Sequence, residues 1–192
     1  MLNRRKLLAG SIALIGTTLS DQSHAHHSAK YKKRFKLDRK YEPQTVFYPG
    51  RYGVGTIIVD PANHFLYLAG RPGLARRYGV GVGRAGLAFK GSATIERKAE
   101  WPSWTPTQNM IRREPEKYAQ FADGVPGGIN NPLGARALYL YKGSRDTYYR
   151  IHGTTQPSSI GQSVSNGCIR MINDHVIDLY NRVPLGTRVV VL

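Results

Sequence analysis

The one cysteine of the 192-residue chain, Cys168, lies in Ser165-Asn166-Gly167-Cys168-Ile169-Arg170-Met171, sixteen residues after the His152 of Ile151-His152-Gly153-Thr154. A thiol with a pKa of about 8.5 is mostly protonated at neutral pH. An imidazole held beside it takes that proton and leaves a thiolate, the attacking species. The amides of Gly167 and Cys168 are natural donors to a developing oxyanion, because glycine lets a carbonyl approach the backbone closely. Arg170 offers a planar fork for a carboxylate, and Ser165 stands with it as a substrate-side residue. A lone buried cysteine, a structural histidine or a surface arginine is each commonplace. Their convergence between His152 and Arg170 points to nucleophilic catalysis with Cys168 as nucleophile and His152 as general acid and base.

The elements around this window must hold it still. Tyr148 to His152 is strand-like and delivers His152 at its end. Asn173 or Asp174 can cap a helix whose Val176, Leu179, Tyr180 and Val183 fall at i, i+3, i+4 and i+7, and Pro184 and Gly186 close it. The cysteine thus sits on the segment leading from a sheet into that helix. Thr56 to Val59 and Phe65 to Leu68 flank the turn signal Asp60-Pro61-Ala62-Asn63 and read as a hairpin. Arg77 to Val82, Ser92 to Arg97, Ala137 to Tyr141 and Thr187 to Leu192 are further strands. The expected fold is mostly β, a sandwich or open barrel with one C-terminal helix. Residues 99–134 break the pattern and read as a long lid-like loop with a short helix around Glu114 to Phe121. Trp101 and Trp104 in that loop either line a groove or pin the loop to the core.

The first 25 residues resemble an export signal, with Arg4, Arg5 and Lys6 ahead of an apolar run from Leu7 to Leu19 and a small-residue cleavage site at Ser23-His24-Ala25. Arg4-Arg5 hints at twin-arginine export; a Sec-type signal or an uncleaved anchor is the alternative. An exported protein with one thiol cannot close an internal disulfide, which again marks Cys168 as reactive. The formal charge of +16 implies a polyanionic neighbourhood. Export argues against nucleic acid and in favour of wall polymer or an anionic lipid surface. Lys30, Lys32, Lys33, Arg34, Lys36, Arg39 and Lys40 face only Asp38, so residues 26–50 read as a mobile basic arm, leaving residues 51–192 as one catalytic domain. No His/Cys cluster has metal-ligand spacing, and Gly79-Val80-Gly81-Val82-Gly83 lacks the strand-to-helix context of a dinucleotide site. No cofactor and no metal are expected. His175 is expected to face solvent.

Ile151-His152-Gly153-Thr154, Ser165-Asn166-Gly167-Cys168 and Ile169-Arg170-Met171, with Asn131-Pro132-Leu133-Gly134 and the helix around Val176 to Tyr180, make residues 51–192 similar to the YkuD-type L,D-transpeptidase catalytic domain. The resemblance implies a periplasmic enzyme that cross-links peptidoglycan stem peptides through a cysteine acyl-enzyme. Cys168 would attack the carbonyl between the third stem residue and terminal D-alanine. The acceptor would be an amine of another stem or a lysine of an outer-membrane protein or lipoprotein. The family histidine before Gly-Cys is Asn166 here, and an amide cannot shuttle protons, so the proton work falls on His152. Gly153 has no side chain to orient the imidazole, so a backbone carbonyl must, as the resemblance implies for some members. An L,D-carboxypeptidase using water as acceptor, a non-catalytic wall-binding module and a protein-to-wall ligase are the competing readings.

Overall fold

The computed structural model describes residues 35–192 apart from residues 86 and 88. The export signal expected over residues 1–25 and most of the basic run lie outside the described residues. No helix among them is long and apolar enough to cross a membrane.

Eleven strands carry the described chain. They are β1 (Gln44–Phe47), β2 (Ile57–Asp60), β3 (Phe65–Ala69), β4 (Leu74–Gly79), β5 (Val82–Gly83), β6 (Gly91–Glu100), β7 (Arg136–Lys142), β8 (Arg145–His152), β9 (Ser163–Ser165), β10 (Ile169–Arg170) and β11 (Arg188–Val191). Nine form one sheet in the order β1-β4-β3-β2-β11-β6-β7-β8-β10, and β5 and β9 pair separately. Most neighbours are antiparallel, as short hairpin connections allow; β11–β2 and β10–β8 are parallel. The last strand of the sheet returns to the beginning, because Gly81 and Arg170 exchange backbone hydrogen bonds of 2.9 and 2.8 Å. The sheet therefore curls toward the open barrel expected from its many short β-branched runs.

Inside the curl lie Ile57, Val59, Leu66, Tyr78, Val80, Ile95, Leu138, Leu140, Ile151 and Val189. The helix α3 (Asn173–Arg182) covers this core with Val176, Leu179 and, just past its end, Val183, while Tyr180 packs partly against it. These are the positions that the 3.6-residue period selects. Lys98 on β6 donates to the last carbonyls of the helix, Tyr180 O at 2.6 Å and Val183 O at 2.7 Å. A half-buried stem with its ammonium on those carbonyls satisfies groups that a helix end leaves unpaired.

Four expectations need correction. The basic arm does not run free to residue 50: β1 pairs antiparallel with β4, and Asp38 caps a 3-10 turn at Arg39–Tyr41. The ring of Tyr41 lies so close to Gly79 and Gly161 that a Cβ on either would collide with it. His175 is buried, not solvent-facing, because it falls on the core side of α3, and its Nε2 meets the Glu42 carboxylate at 3.2 Å. The cap of α3 is Ile172, without a side-chain hydrogen bond, and the carboxamide of Asn173 goes elsewhere. The loop region holds α1 (Gln108–Arg113) and α2 (Pro115–Tyr118), a longer helical stretch than the sequence suggested.

Candidate active site

Parallel pairing of β8 with β10 sets Ile169 beside Ile151 and Arg170 beside His152. Side chains alternate along a strand, so His152, Arg170 and Cys168, two residues before Arg170, share one face. All three open into the same pocket of about 460 Å³, with Trp104, Tyr118, Leu133, Gln156 and Asn166 also on its walls. The ladder continues past β10, where Met171 N–H donates to His152 O at 2.8 Å. The histidine backbone is thereby fixed against the strand that follows the cysteine.

His152 is buried, and its Nδ1 lies 2.6 Å from Gly153 O. A carbonyl only accepts, so Nδ1 carries the proton and Nε2 keeps its lone pair. Burial pushes the imidazole pKa down to about 4, with the Arg170 charge acting in the same direction; the Gly153 and Leu133 carbonyls pull the other way. The ring is thus a neutral base at neutral pH. Cys168 is half-buried, and burial raises its thiol pKa, against a backbone hydrogen bond from Arg150 and the charges of Arg150 and Arg170. The resting pair is neutral thiol and neutral imidazole, and the proton must move as the sulfur attacks.

The cysteine loop is braced by Ser165. Its hydroxyl donates to Cys168 O at 2.6 Å and accepts from Gly167 N–H at 3.1 Å, and the residue is buried. The hydroxyl thus braces the turn, while Ser165 also stands in the pocket wall. The same hydroxyl engages the Gly167 N–H expected to face an oxyanion. Cys168 N–H has no acceptor among the described residues. Gly167 adopts φ +121°, and a Cβ there would strike the Tyr149 ring and Leu87 O.

Arg170 is half-buried, which lowers its pKa, and among the described residues its guanidinium meets no carboxylate, only Gln156 Oε1 at 3.2 Å. A guanidinium held this way in a pocket favours an anionic ligand. Asn166 does no proton work in this geometry. Its Nδ2 donates to Tyr118 Oη at 2.8 Å, and its Oδ1 accepts from Arg84 at 2.9 Å and from Arg113 at 3.4 Å. Arg84 and Lys117 both hold Glu114, at 2.7 and 3.2 Å, and keep its carboxyl below the usual range. The α1–α2 segment is thereby tied to the cysteine loop. Trp104 packs edge-on against Tyr118 and Phe121 and lines the pocket, whereas Trp101 does not reach its wall.

Asn131 is buried and donates to Val125 O and Pro126 O, both at 2.9 Å, while accepting from Leu133 N–H. It shapes the turn that presents the Leu133 carbonyl to His152. Sequence reasoning missed Arg84, Tyr118 and the Asp146–Arg150 pair behind the cysteine. It also read Asn173 as a cap. Arg84 and Tyr118 reach the site from separate elements, and the Asp146–Arg150 pair lies on β8 itself without a sequence pattern that marks it.

Residues 55–191 match the family model of the YkuD L,D-transpeptidase catalytic domain. The chain is 34% identical over 152 residues to the Probable L,D-transpeptidase ErfK/SrfK of Escherichia coli, covering 78% of this chain and 47% of that protein. It therefore spans about half the length of the curated relatives it matches. A crystal structure from Brucella melitensis described as a Probable carnitine operon oxidoreductase caia is 57% identical, with a TM-score of 0.56 over 81% of this chain and 96% of that one. The Enterococcus faecium L,D-transpeptidase C442S mutant shares the fold at 16% identity, with a TM-score of 0.55 over 73% and 50% of the two chains.

Proposed function

The chain belongs to the YkuD family of L,D-transpeptidase catalytic domains, and on that premise we propose that it transfers a peptidoglycan stem peptide through an acyl-enzyme on Cys168. The observation that carries this reading is the β8–β10 register, which puts His152, Cys168 and Arg170 on one face and in one pocket. As the sulfur attacks the carbonyl between the third stem residue and D-alanine, His152 Nε2 takes the thiol proton. A C–S bond forms and the carbonyl oxygen gains charge near Cys168 N–H. The C–N bond then breaks, the proton passes from His152 to the leaving amine, and D-alanine departs. An amine acceptor attacks the thioester and gives its proton to His152, and the thiol is restored. Arg170 binds a carboxylate of the stem.

The acceptor is an amine of a second stem or of a protein lysine, on an outer-membrane protein or lipoprotein, and the enzyme works in the periplasm. Its excess of Lys and Arg holds it to anionic wall polymer. The oxidoreductase description of the Brucella structure finds no support in the glycine run, because Gly79-Val80-Gly81-Val82-Gly83 passes from β4 into β5 and the next element among the described residues is β6. Mass spectrometry of the protein incubated with tetrapeptide-stem muropeptides tests the proposal. Expected are a covalent acyl adduct on Cys168, released D-alanine and cross-linked dimers, all lost in Cys168→Ala. Tripeptides without dimers would make it a carboxypeptidase; turnover surviving in Cys168→Ala would end the reading.

A further inference from the structure

Asn173 is the first residue of α3, a position and residue type suited to capping, yet it does not cap. Its Oδ1 accepts from Ala135 N–H at 3.1 Å and from Thr154 N–H at 3.2 Å. Both partners are donors, which fixes the carboxamide with its oxygen toward them. The oxygen fits between Gly134 and Gly153, and a Cβ on either glycine would collide with it. Gly134 also has φ +64°, a conformation that favours glycine. The helix forgoes a side-chain cap and places this side chain against the turn after His152.

Thr154 N–H and Gly153 C=O are the two ends of one peptide unit. Asn173 accepts at the first end, and the imidazole of His152 donates at the second, Nδ1 to Gly153 O at 2.6 Å. We propose that Asn173 is the positioning residue of the Cys168–His152 pair, acting on the imidazole through the Gly153–Thr154 peptide. This rests on the assignment of Cys168 and His152 as nucleophile and base.

Two effects follow from that chain of bonds. The first is orientational: Gly153 N–H is held by Arg136 O at 3.0 Å and the Thr154 end by Asn173, so the carbonyl between them has one direction. The second is electronic. An acceptor on the N–H polarises the peptide and makes its oxygen a stronger acceptor, and chains of such bonds reinforce one another in a site with little water. The stronger oxygen holds the proton on Nδ1 and leaves Nε2 as the basic nitrogen. A carboxylate touching the ring directly would do the same with a full charge; here a neutral amide does it across a peptide. The imidazole stays neutral among the cations around it, Arg150 on its own strand, Arg170 on β10 and Lys117 across the pocket, with Cys168 and Tyr118 the other titratable groups facing that space.

The test needs no substrate. In the full chain the Nδ1–H proton of His152, identified by its loss in His152→Gln, should give a downfield resonance at neutral pH, the mark of a short bond to Gly153 O. Asn173→Ala should move it upfield or lose it to water exchange. It should also slow alkylation of Cys168 by iodoacetamide by roughly threefold at fixed pH. Asn173→Asp keeps the acceptor and adds charge, so the resonance should move further downfield and alkylation should return to at least the parental rate. A folded Asn173→Ala with the parental resonance and alkylation rate would overturn the proposal. So would an Asn173→Asp that behaves like Asn173→Ala. If Asn173→Ala does not fold, Asn173→Asp alone decides, and an unmoved resonance counts against the inference. Failure of the parent to turn over stem peptides would leave these readouts intact, so the two ideas fail separately.

Discussion

The Nδ1 of His152 lies 2.6 Å from the carbonyl oxygen of Gly153, the next residue of its own strand end. The ring is bound to its own backbone in a site where burial pushes its pKa down to about 4. An unfolded histidine titrates near 6.5. The unfolded chain therefore takes up this proton first as pH falls, so the stability associated with neutral His152 is complete above about pH 6.5 and declines toward pH 4. The loss amounts to about 3 kcal/mol at the bottom of that window. Urea denaturation at pH 7.5, 5.5 and 4.5 should show the decline, and His152→Gln should flatten it. His175, also held below its usual pKa by burial, adds a slope of the same sign that His152→Gln leaves in place. An identical pH slope in the parent and in His152→Gln would remove the neutral-base assignment.

Behind the sulfur, the guanidinium of Arg150 holds both oxygens of Asp146, at 2.7 and 2.8 Å. The same carboxylate accepts from Tyr148 N–H at 2.7 Å and keeps Tyr148 at φ +61°. Tyr148 O then lies 3.8 Å from Cys168 Sγ. Arg150 thus shapes the wall beside the Cys168 thiol and supplies one of the two charges that offset its burial. Replacing it with methionine removes both. The midpoint of the pH profile for iodoacetamide alkylation of Cys168 should move up in Arg150→Met, and the rate at pH 7 should fall by about three- to tenfold. An unmoved midpoint would mean that Arg150 does not act on the thiol.

What could be read from the chain beforehand follows from how local each signal is. Strands such as β2, β3 and β7 announce themselves through β-branched and aromatic runs between turn residues, and α3 through a period of 3.6. His152, Gly167, Cys168 and Arg170 fall within one short window, and the parallel β8–β10 ladder turns sequence proximity into spatial proximity. Edge strand β1 escaped because Gln44-Thr45-Val46-Phe47 follows a dense basic run and buries only one face, partly. Asn173 was misread because capping and reaching across to another loop use the same side chain. Arg84 and Tyr118 meet Asn166 from 82 and 48 residues away, a distance over which no periodicity speaks.

Gly167 gives a sharper test of the nucleophile turn than any of its polar neighbours. At φ +121° an alanine is strained, and its methyl would meet the Tyr149 ring and Leu87 O. Gly167→Ala should lose about 3 kcal/mol of stability and displace the cysteine. Thermal melting and acyl-adduct formation should fall together. Retention of parental adduct formation would show that the turn tolerates a different backbone.

Asn166 occupies the place of the family histidine, and its bonds explain what an amide does there. One end holds Tyr118 and the other gathers Arg84 and Arg113, so the loop beside Cys168 and the α1–α2 segment share one carboxamide. A neutral histidine has one donor and one acceptor nitrogen, in fixed directions on a larger ring, and a protonated one would repel both arginines. Asn166→Ala removes the tie without adding bulk. At such a partly exposed site the lost hydrogen bonds together are worth about 1.4 kcal/mol, so opening of the segment should become about tenfold more frequent. Arg112, Arg113 and Lys117 lie within the segment and make it readable by trypsin. Cleavage after these residues should be faster in Asn166→Ala, while the melting temperature changes little because α1 buries no residue and α2 only Tyr118. If the segment closes the pocket over a bound stem, KM should rise several-fold while alkylation of Cys168 proceeds at the parental rate or faster. Unchanged trypsin sensitivity would show that other contacts, Trp104 against Tyr118 and Phe121 foremost, hold the segment down on their own.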